Sequence, residues 1–225
     1  MAHLPAETDV LIVGAGPAGL FAAFQLGLFG IRSHLVDALN RPGGQCAAFY
    51  PDKPIYDIPG HPEITGDGLI GRLMAQIAPF APGFSLGRAA SSITREPDAR
   101  FGIRLETDAV LAQAVVLATG TGSLVRNPAP LAGWGIGLDG DRLPADTARF
   151  ESAVPGIFAV GDAASYPGKL PLILSAFHEA ALMAQAVRAL VRPGERRGTE
   201  HTSTSRALQG RLGKGVLRDG MNSGT

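Results

Sequence analysis

The chain has 225 residues, of which 45% are hydrophobic and 18% charged, so it has enough apolar side chains for a sizeable core and is not expected to be disordered. Twenty basic residues balance twenty acidic ones, which argues against a nucleic-acid partner. No apolar run reaches the length of a membrane span, residues 1–9 lack a signal-peptide pattern, and the single cysteine, Cys46, excludes an internal disulfide and a C-x-x-C redox centre. We therefore expect a cytoplasmic protein.

The chain opens with a predicted strand, a glycine turn, a helix and a second strand. The apolar run 10–13 is typical of a buried parallel strand. Pro17 suits the first turn of a helix over 18–29, which we expect Gly30 to end. A second strand over 31–36 follows the helix.

The turn between the first strand and the helix has the pattern G-x-G-x-x-G, formed by Gly14, Gly16 and Gly19. The first glycine permits a tight turn, the second lets the backbone approach a pyrophosphate, and the third lets the helix pack on the strand. Asp37 lies 37 − 14 = 23 residues after Gly14, where a carboxylate accepts a hydrogen bond from a ribose hydroxyl. These features predict dinucleotide binding. A structural turn, with a solvated acid at the strand end, is the alternative interpretation.

The segment 39–62 is rich in proline and glycine and predicts a long ordered loop. Its aromatic residues, which include Tyr50 and Tyr56, indicate that the loop lines a site. Thr65 or Asp67 then caps a helix predicted over 68–78.

The second half of the chain begins with strands. They lie within residues 83–119, and a turn at 97–100 predicts a hairpin. The remaining predicted elements are a buried strand at 114–118, loop over 123–152, a buried strand within 156–164 that enters a Gly-Asp turn, a helix over 172–191, and a frayed or disordered tail over 192–225.

Three stretches together resemble the two-dinucleotide-binding flavoproteins. They are GAGPAG at 14–19, ATG at 118–120 and GIFAVGDAA at 156–164. The resemblance implies that the first binds the FAD pyrophosphate and that Asp162, in the third, hydrogen-bonds the ribityl or pyrophosphate part of FAD. It also implies a three-layer α/β fold, a Rossmann-type FAD-binding domain with a parallel sheet and a small antiparallel sheet.

The intervening loop, the last long helix and the tail narrow this match. RPGGQCAAFYPDKPIYDIPGHPEI, YPGKLPLILSAFHEAALMA and EHTSTS resemble the thioredoxin-reductase-like ferredoxin (flavodoxin)–NADP reductases, in that family's order and over nearly the whole chain. In that family the tyrosine matching Tyr50 stacks on the isoalloxazine ring. The tail reaches over the flavin of the other subunit of a homodimer, which implies a similar position for His201.

The resemblance implies the following site residues. As catalytic candidates it gives Tyr50, Cys46 and His201, although for Cys46 a small buried hydrophobe is the preferred interpretation. No histidine or carboxylate spacing predicts a metal site. The implied FAD-binding residues are Gly14, Gly16, Pro17, Ala18, Gly19, Asp37, Gly44, Gln45, Tyr50, Thr119, Gly120, Gly161, Asp162, Ser203 and Thr204.

One departure from the family pattern concerns NADPH. The family carries a second glycine-fingerprint domain between the ATG strand and the GIFAVGD strand, but here only residues 121–155 lie between them, which is 155 − 121 + 1 = 35 residues. A dinucleotide-binding domain needs on the order of 100 residues. We therefore expect an FAD-binding domain over 1–192, an NADPH domain absent near 123–129, and a tail over 193–225 that covers the partner's flavin.

The resulting prediction is an FAD-dependent oxidoreductase or electron-transfer flavoprotein without its own NADPH domain. Its electrons would come from ferredoxin, flavodoxin, a separate reductase or a small substrate. Two alternatives stay open: a non-catalytic FAD-binding redox sensor or dimeric module, and direct reduction by NADPH without a dedicated domain.

Overall fold

The computed structural model describes residues 4–106, 108–120, 135–195 and 201–214. The helices are α1 (Pro17–Leu28), α2 (Gly44–Phe49), α3 (Gly66–Ile77), α4 (Ile173–Val191) and α5 (Arg206–Arg211). The strands are β1 (Glu7–Val13), β2 (Ser33–Asp37), β3 (Pro54–Ile55), β4 (Ile64–Thr65), β5 (Gly83–Leu86), β6 (Ala90–Arg95), β7 (Phe101–Leu105), β8 (Asp108–Leu117), β9 (Leu143–Pro144), β10 (Ile157–Ala159) and β11 (Ala164–Ser165).

The main sheet has seven strands in the order β5-β2-β1-β8-β7-β6, and β10 also pairs with β8. Strands β5, β2, β1, β8 and β10 run parallel. Alternate side chains of β1 face opposite layers, as the pleat requires. Val10 and Ile12 pack with helices α1, α3 and α4, whereas Leu11 and Val13 pack with β7, β8 and Leu143. The predicted three-layer α/β fold is confirmed.

Strand β8 joins the parallel and antiparallel parts of this sheet. Its first half pairs antiparallel with β7, from Asp108 to Ala112, and its last residues, Val115 to Leu117, pair parallel with β10. The predicted hairpin is β6-β7, so these antiparallel strands extend the main sheet. A separate antiparallel pair, β3-β4, lies outside the main sheet.

Helix α1 follows the predicted bounds within one residue, with Pro17 at its first position. Gly30 has φ of +67°, and its N–H donates to the carbonyl of Gly27 while that of Ile31 donates to Leu26. These bonds satisfy the last carbonyls of the helix, as a left-handed glycine cap does. The predicted end at Gly30 is therefore confirmed.

The segment 39–62 is more regular than predicted. It contains α2 and one strand of the β3-β4 pair, both too short to show a hydrophobic period in the sequence. The helix after it begins with Thr65 as its N-cap, because Thr65 Oγ1 accepts a 3.1 Å hydrogen bond from the N–H of Gly68. Asp67 lies in its first turn.

The end of the chain is ordered over its described part, where a frayed or disordered tail was predicted. Helix α5 places Leu208 in a buried position, 3% exposed, and the Arg211 guanidinium donates a 2.6 Å hydrogen bond to the carbonyl of Leu28. That carbonyl belongs to the last turn of α1, so α5 packs at the C-terminal end of that helix. The remaining tail residues, 196–200 and 215–225, lie outside the described residues.

Candidate functional site

The glycine turn between β1 and α1 is built from close backbone contacts. Gly14 has φ of +112°, and a Cβ atom there would lie 2.3 Å from the carbonyl oxygen of Ala118 at the end of β8. A Cβ on Gly19 would lie 2.0 Å from the carbonyl oxygen of Gly14. No side chain fits at either position, since real Cβ contacts are far longer. The turn therefore brings the N-terminus of α1, with its free N–H groups, to the carboxyl edge of the sheet.

The segment before α2 lies directly against this turn. The N–H of Gly43 donates a 2.8 Å hydrogen bond to the carbonyl of Ala15. A Cβ on Gly44 would lie 2.9 Å from Cα of Gly16. The first residues of α1 and α2 are thus adjacent, although the sequence separates them by a strand and a loop.

The ends of β8 and β10 complete the edge. Gly120 has φ of +68°, and the Gln45 side-chain nitrogen lies 3.1 Å from the position of a Cβ there. Gly161, also at φ of +68°, opens a 3₁₀ turn that contains Asp162. A Cβ on Gly161 would lie 2.9 Å from Cβ of Ala18, so this turn lies against the start of α1. Residues from four separate parts of the chain therefore meet around the start of α1.

Asp37 contacts the same turn from the end of β2. Its carboxylate accepts a 2.7 Å hydrogen bond from the N–H of Ala15 and a 2.8 Å bond from the N–H of Leu39. Burial raises the pKa of Asp37, against the opposing effect of these two bonds. A carboxylate accepts about four hydrogen bonds, so this one retains capacity for a ligand hydroxyl.

Cys46 and Tyr50 line a cleft next to this edge. The cleft has a volume of about 380 Å³ and is also lined by Lys53, Pro54, Ile55, Tyr56, Asp57, Gly66 and Ile173. Burial, and then the nearby charge of Asp162, raise the pKa of the Cys46 thiol. The thiol stays protonated near neutral pH, which favours the packing interpretation over a reactive thiolate. Tyr50 is 48% exposed, and Lys53 Nζ lies 5.1 Å from the centre of its ring.

Three predicted site residues of the tail, His201, Ser203 and Thr204, are exposed and do not lie at this edge of their own chain. Gln209 of α5 binds the carbonyls of Thr202 and Ser203, which ties His201, Ser203 and Thr204 to α5. Helix α5 packs at the C-terminal end of α1, whereas the glycine turn lies at its N-terminal end. Twelve helical residues span roughly 18 Å.

Sequence reasoning missed Glu179, which is fully buried on the inner side of α4. Its Oε2 accepts a 2.6 Å hydrogen bond from the N–H of Gly161, and its Oε1 accepts from Tyr166 (2.7 Å) and from Lys169. The available signal was the single acidic residue of a long and largely apolar helix, where an uncompensated charge would be costly.

Two other classes of site are absent from the part of the chain that the structure describes. Within the ranges that the structure describes, no three histidine, cysteine or carboxylate side chains are grouped to hold a metal ion. In the same ranges, no helix is both long and apolar enough to cross a bilayer.

A parallel strand, a glycine turn, the start of a helix and an acid at the end of the next strand define a dinucleotide-binding domain of Rossmann type. The family described as NAD(P)-binding Rossmann-like domain matches residues 12–76. The thioredoxin reductase of Streptococcus pyogenes shares the fold with a TM-score of 0.72 and 15% identity, over 84% of this chain and 99% of that one.

The relatives in sequence are more specific. The ferredoxin–NADP reductase of Mesorhizobium japonicum is 34% identical, over 92% of this chain and 98% of the relative, and that of a Bradyrhizobium species is 31% identical with the same coverage. This chain belongs to the ferredoxin–NADP reductase family, which makes it an FAD-dependent oxidoreductase and confirms the resemblance drawn from its motifs.

The alignment with the Mesorhizobium relative extends over 335 positions. Ninety-two per cent of 225 residues is about 207, so about 335 − 207 = 128 positions have no residue of this chain opposite them. The alignment spans 98% of the relative, so these unmatched positions lie within it, and the relative contains sequence there that has no counterpart in this chain.

Proposed function

We propose that this chain binds one FAD along the edge formed by the glycine turn, α2, the end of β8 and the Gly161–Asp162 turn. The contacts at Gly14, Gly44 and Gly161 support the proposal, because the absence of a side chain at each lets these segments pack closely around the start of α1, where a pyrophosphate would bind. The N–H groups after Gly16 face the phosphates, Asp37 accepts from the adenosine ribose, and Asp162 accepts from the ribityl part.

The isoalloxazine ring would occupy the cleft lined by Cys46 and Tyr50. Tyr50 offers an exposed ring for stacking, and the Cys46 thiol supplies an apolar wall. In this proposal Gln45 and Gly120, which lie close together, also contact the flavin. FAD, when bound, supplies hydride and single-electron transfer, while the protein orients it and sets its surroundings. Thr119 and Gly44 complete the proposed contacts.

We propose that the chain has no NADPH domain of its own. Two observations support this proposal: the interval 121–155 is too short for such a domain, and about 128 positions of the alignment with the relative have no residue of this chain opposite them. The proposed junction, 123–129, lies outside the described residues. Electrons then reach the flavin from a ferredoxin-type or flavodoxin-type protein, from a separate reductase, or from a small reductant that enters the cleft.

We also propose that the tail, residues 193–225, acts on a second copy of the chain. His201, Ser203 and Thr204 are exposed and lie toward the far end of α1 from their own glycine turn. This placement suits residues that cover the flavin of the other subunit in a homodimer. A mass measurement in solution, compared with that of a chain truncated before residue 196, tests the pairing.

An anaerobic visible spectrum of the purified protein tests the FAD proposal first. A flavin band that persists after gel filtration supports it, and its absence after attempted reconstitution with FAD contradicts it. Titration with NADPH, then NADH, then reduced ferredoxin tests the donor. We expect bleaching within seconds by ferredoxin and only slow bleaching by either nucleotide. Fast bleaching by NADPH would contradict the proposed donors and favour direct reduction by NADPH without a dedicated domain.

Turnover with an acceptor separates an enzyme from a sensor. In an oxidoreductase, the flavin is reduced by the donor and reoxidised by a suitable acceptor many times per minute. A redox sensor instead changes its assembly state on reduction and turns over slowly.

A further inference from the structure

The buried carboxylate of Glu179 binds three donors that belong to one continuous segment. The Gly161 N–H, the Tyr166 hydroxyl and the Lys169 ammonium all donate to it. The segment 161–169 therefore wraps around a single side chain of α4. Lys169 and Glu179 are both buried, at 6% and 1% side-chain exposure, so their ion pair is shielded from solvent.

The Gly161 N–H is the donor that concerns the site. Gly161 opens the 3₁₀ turn in which Asp162 is the next residue, and this turn lies between Ala18 of α1 and Ala176 of α4. Hydrogen bonds to a charged acceptor are about twice as strong as neutral ones. One such bond at the first residue of this three-residue turn restricts the direction in which the second residue, Asp162, points.

We propose that Glu179 is a positioning residue, which holds the Gly161–Asp162 turn in the geometry that receives FAD before the cofactor arrives. This inference rests on the proposed FAD site. Glu179 does not itself touch the cofactor in this proposal; it acts through the main chain of Gly161. Lys169 forms an ion pair with Glu179 and supplies the counter-charge that a buried carboxylate needs.

Removing Glu179 alone is a poor test, because it would leave the Lys169 ammonium buried without its partner. Two double variants avoid this problem. K169M/E179Q and K169M/E179L both remove the buried charges and conserve side-chain size, but only the glutamine retains an oxygen that accepts from the Gly161 N–H. The two proteins differ in the acceptor that they offer to the Gly161 N–H and to the Tyr166 hydroxyl. Y166F, which removes only the second of these bonds, separates the two effects.

Equilibrium binding of FAD to the apoproteins, followed by quenching of flavin fluorescence, gives the first measurement. We expect K169M/E179Q to bind FAD within about threefold of the wild type and K169M/E179L to bind about tenfold more weakly. The midpoint potential of the bound flavin is the second measurement. We expect it to shift in K169M/E179L, because the Asp162 charge moves relative to the ring.

Asp9 supplies a control for general loss of stability. It is 3% exposed and pairs with Arg32 and Arg192, at the opposite end of β1 from the glycine turn. We expect D9N to lower the midpoint of urea unfolding and to leave the dissociation constant for FAD unchanged. Equal FAD affinities in the two double variants would overturn the positioning role. If the wild-type protein does not bind FAD, the proposed function fails together with the positioning role. That outcome is measured on the wild type before any variant is made, so the two failures can be told apart.

Discussion

The backbone of Gly16 lies against the backbone of Gly44, at the starts of two different helices. A Cβ on Gly44 would lie 2.9 Å from Cα of Gly16, and a Cβ on Gly16 would lie 3.7 Å from Cα of Gly44. Gly44 also has φ of +54°, a conformation that residues with side chains rarely adopt. The contact thus depends on Gly44 for both space and conformation.

We expect Gly44→Ala to abolish tight FAD binding, because the new methyl group would push α2 away from the glycine turn. It should also lower the free energy of unfolding by about 1–2 kcal/mol through the left-handed conformation alone. Gly60→Ala is a matched control, since Gly60 has φ of +83° with no atom within 4 Å of the Cβ position. Urea unfolding and FAD titration of both variants separate the two effects, and an equal loss of affinity in both would contradict the crowding argument.

We expect Asp37→Asn to weaken FAD binding by about tenfold, because an amide has one acceptor oxygen for the Ala15 N–H, the Leu39 N–H and a ribose hydroxyl. Asp146→Asn is the control: Asp146 also accepts from two backbone N–H groups, of Ala148 and Arg149, but outside the site. Fluorescence titration with FAD is the measurement. If D37N binds FAD as tightly as the wild type, Asp37 only stabilises the turn and does not bind the cofactor.

His34 should make stability depend on pH. Burial lowers the pKa of its imidazole from 6.5 to about 4, and its Nε2 lies 2.9 Å from Ser85 Oγ. The unfolded chain therefore binds a proton on this residue between about pH 6.5 and pH 4 that the folded protein does not. Stability is fully retained above pH 6.5 and is lost as the pH falls toward 4, by up to about 3 kcal/mol.

Urea unfolding of the wild type and of His34→Gln at several pH values between 4 and 7 measures this loss. Glutamine can bond to Ser85 and does not titrate in this range. We expect a flatter stability profile in the variant over this interval. Parallel profiles would show that other groups cause the acid sensitivity.

Leu208 should hold the tail against α1. We expect Leu208→Asp to increase the rate of tryptic cleavage within residues 201–214 by at least about tenfold, because a charge replaces a buried apolar contact. Ala207→Asp, at the neighbouring exposed position, should leave that rate unchanged. Cleavage is followed by mass spectrometry. Similar rates in the two variants would show that Leu208 does not anchor α5.

Much of the fold and the surroundings of the glycine turn could be predicted from the sequence, because they depend on local patterns. The G-x-G-x-x-G spacing sets a tight strand-to-helix turn, and the length of one helix plus one strand sets the return of Asp37 to that turn. The structure places Asp37 within 2.7 Å of the Ala15 nitrogen. Gly30 and Thr65 act as helix caps for equally local reasons.

Other features depend on contacts between distant residues and leave little trace in a single sequence. The N–H of Gly43 binds Ala15, and Glu179 binds Gly161, through tertiary packing alone. Helix α2 has six residues, fewer than two turns, so it shows no periodicity. The split of β8 between two neighbouring strands likewise arises only when β7 and β10 assemble on it.

The pairing of strand β10 with β8 has a consequence for the evolution of this protein family. The chain leaves the sheet at Leu117 and returns at Ile157, and Val115–Leu117 pairs in register with Ile157–Ala159. The bond from the Val160 N–H to the Leu117 carbonyl closes this junction, and the pairings that the structure describes there join residues on either side of the interval 121–134. A genetic deletion or insertion within that interval can therefore remove or add an entire module while the sheet on either side keeps its alignment.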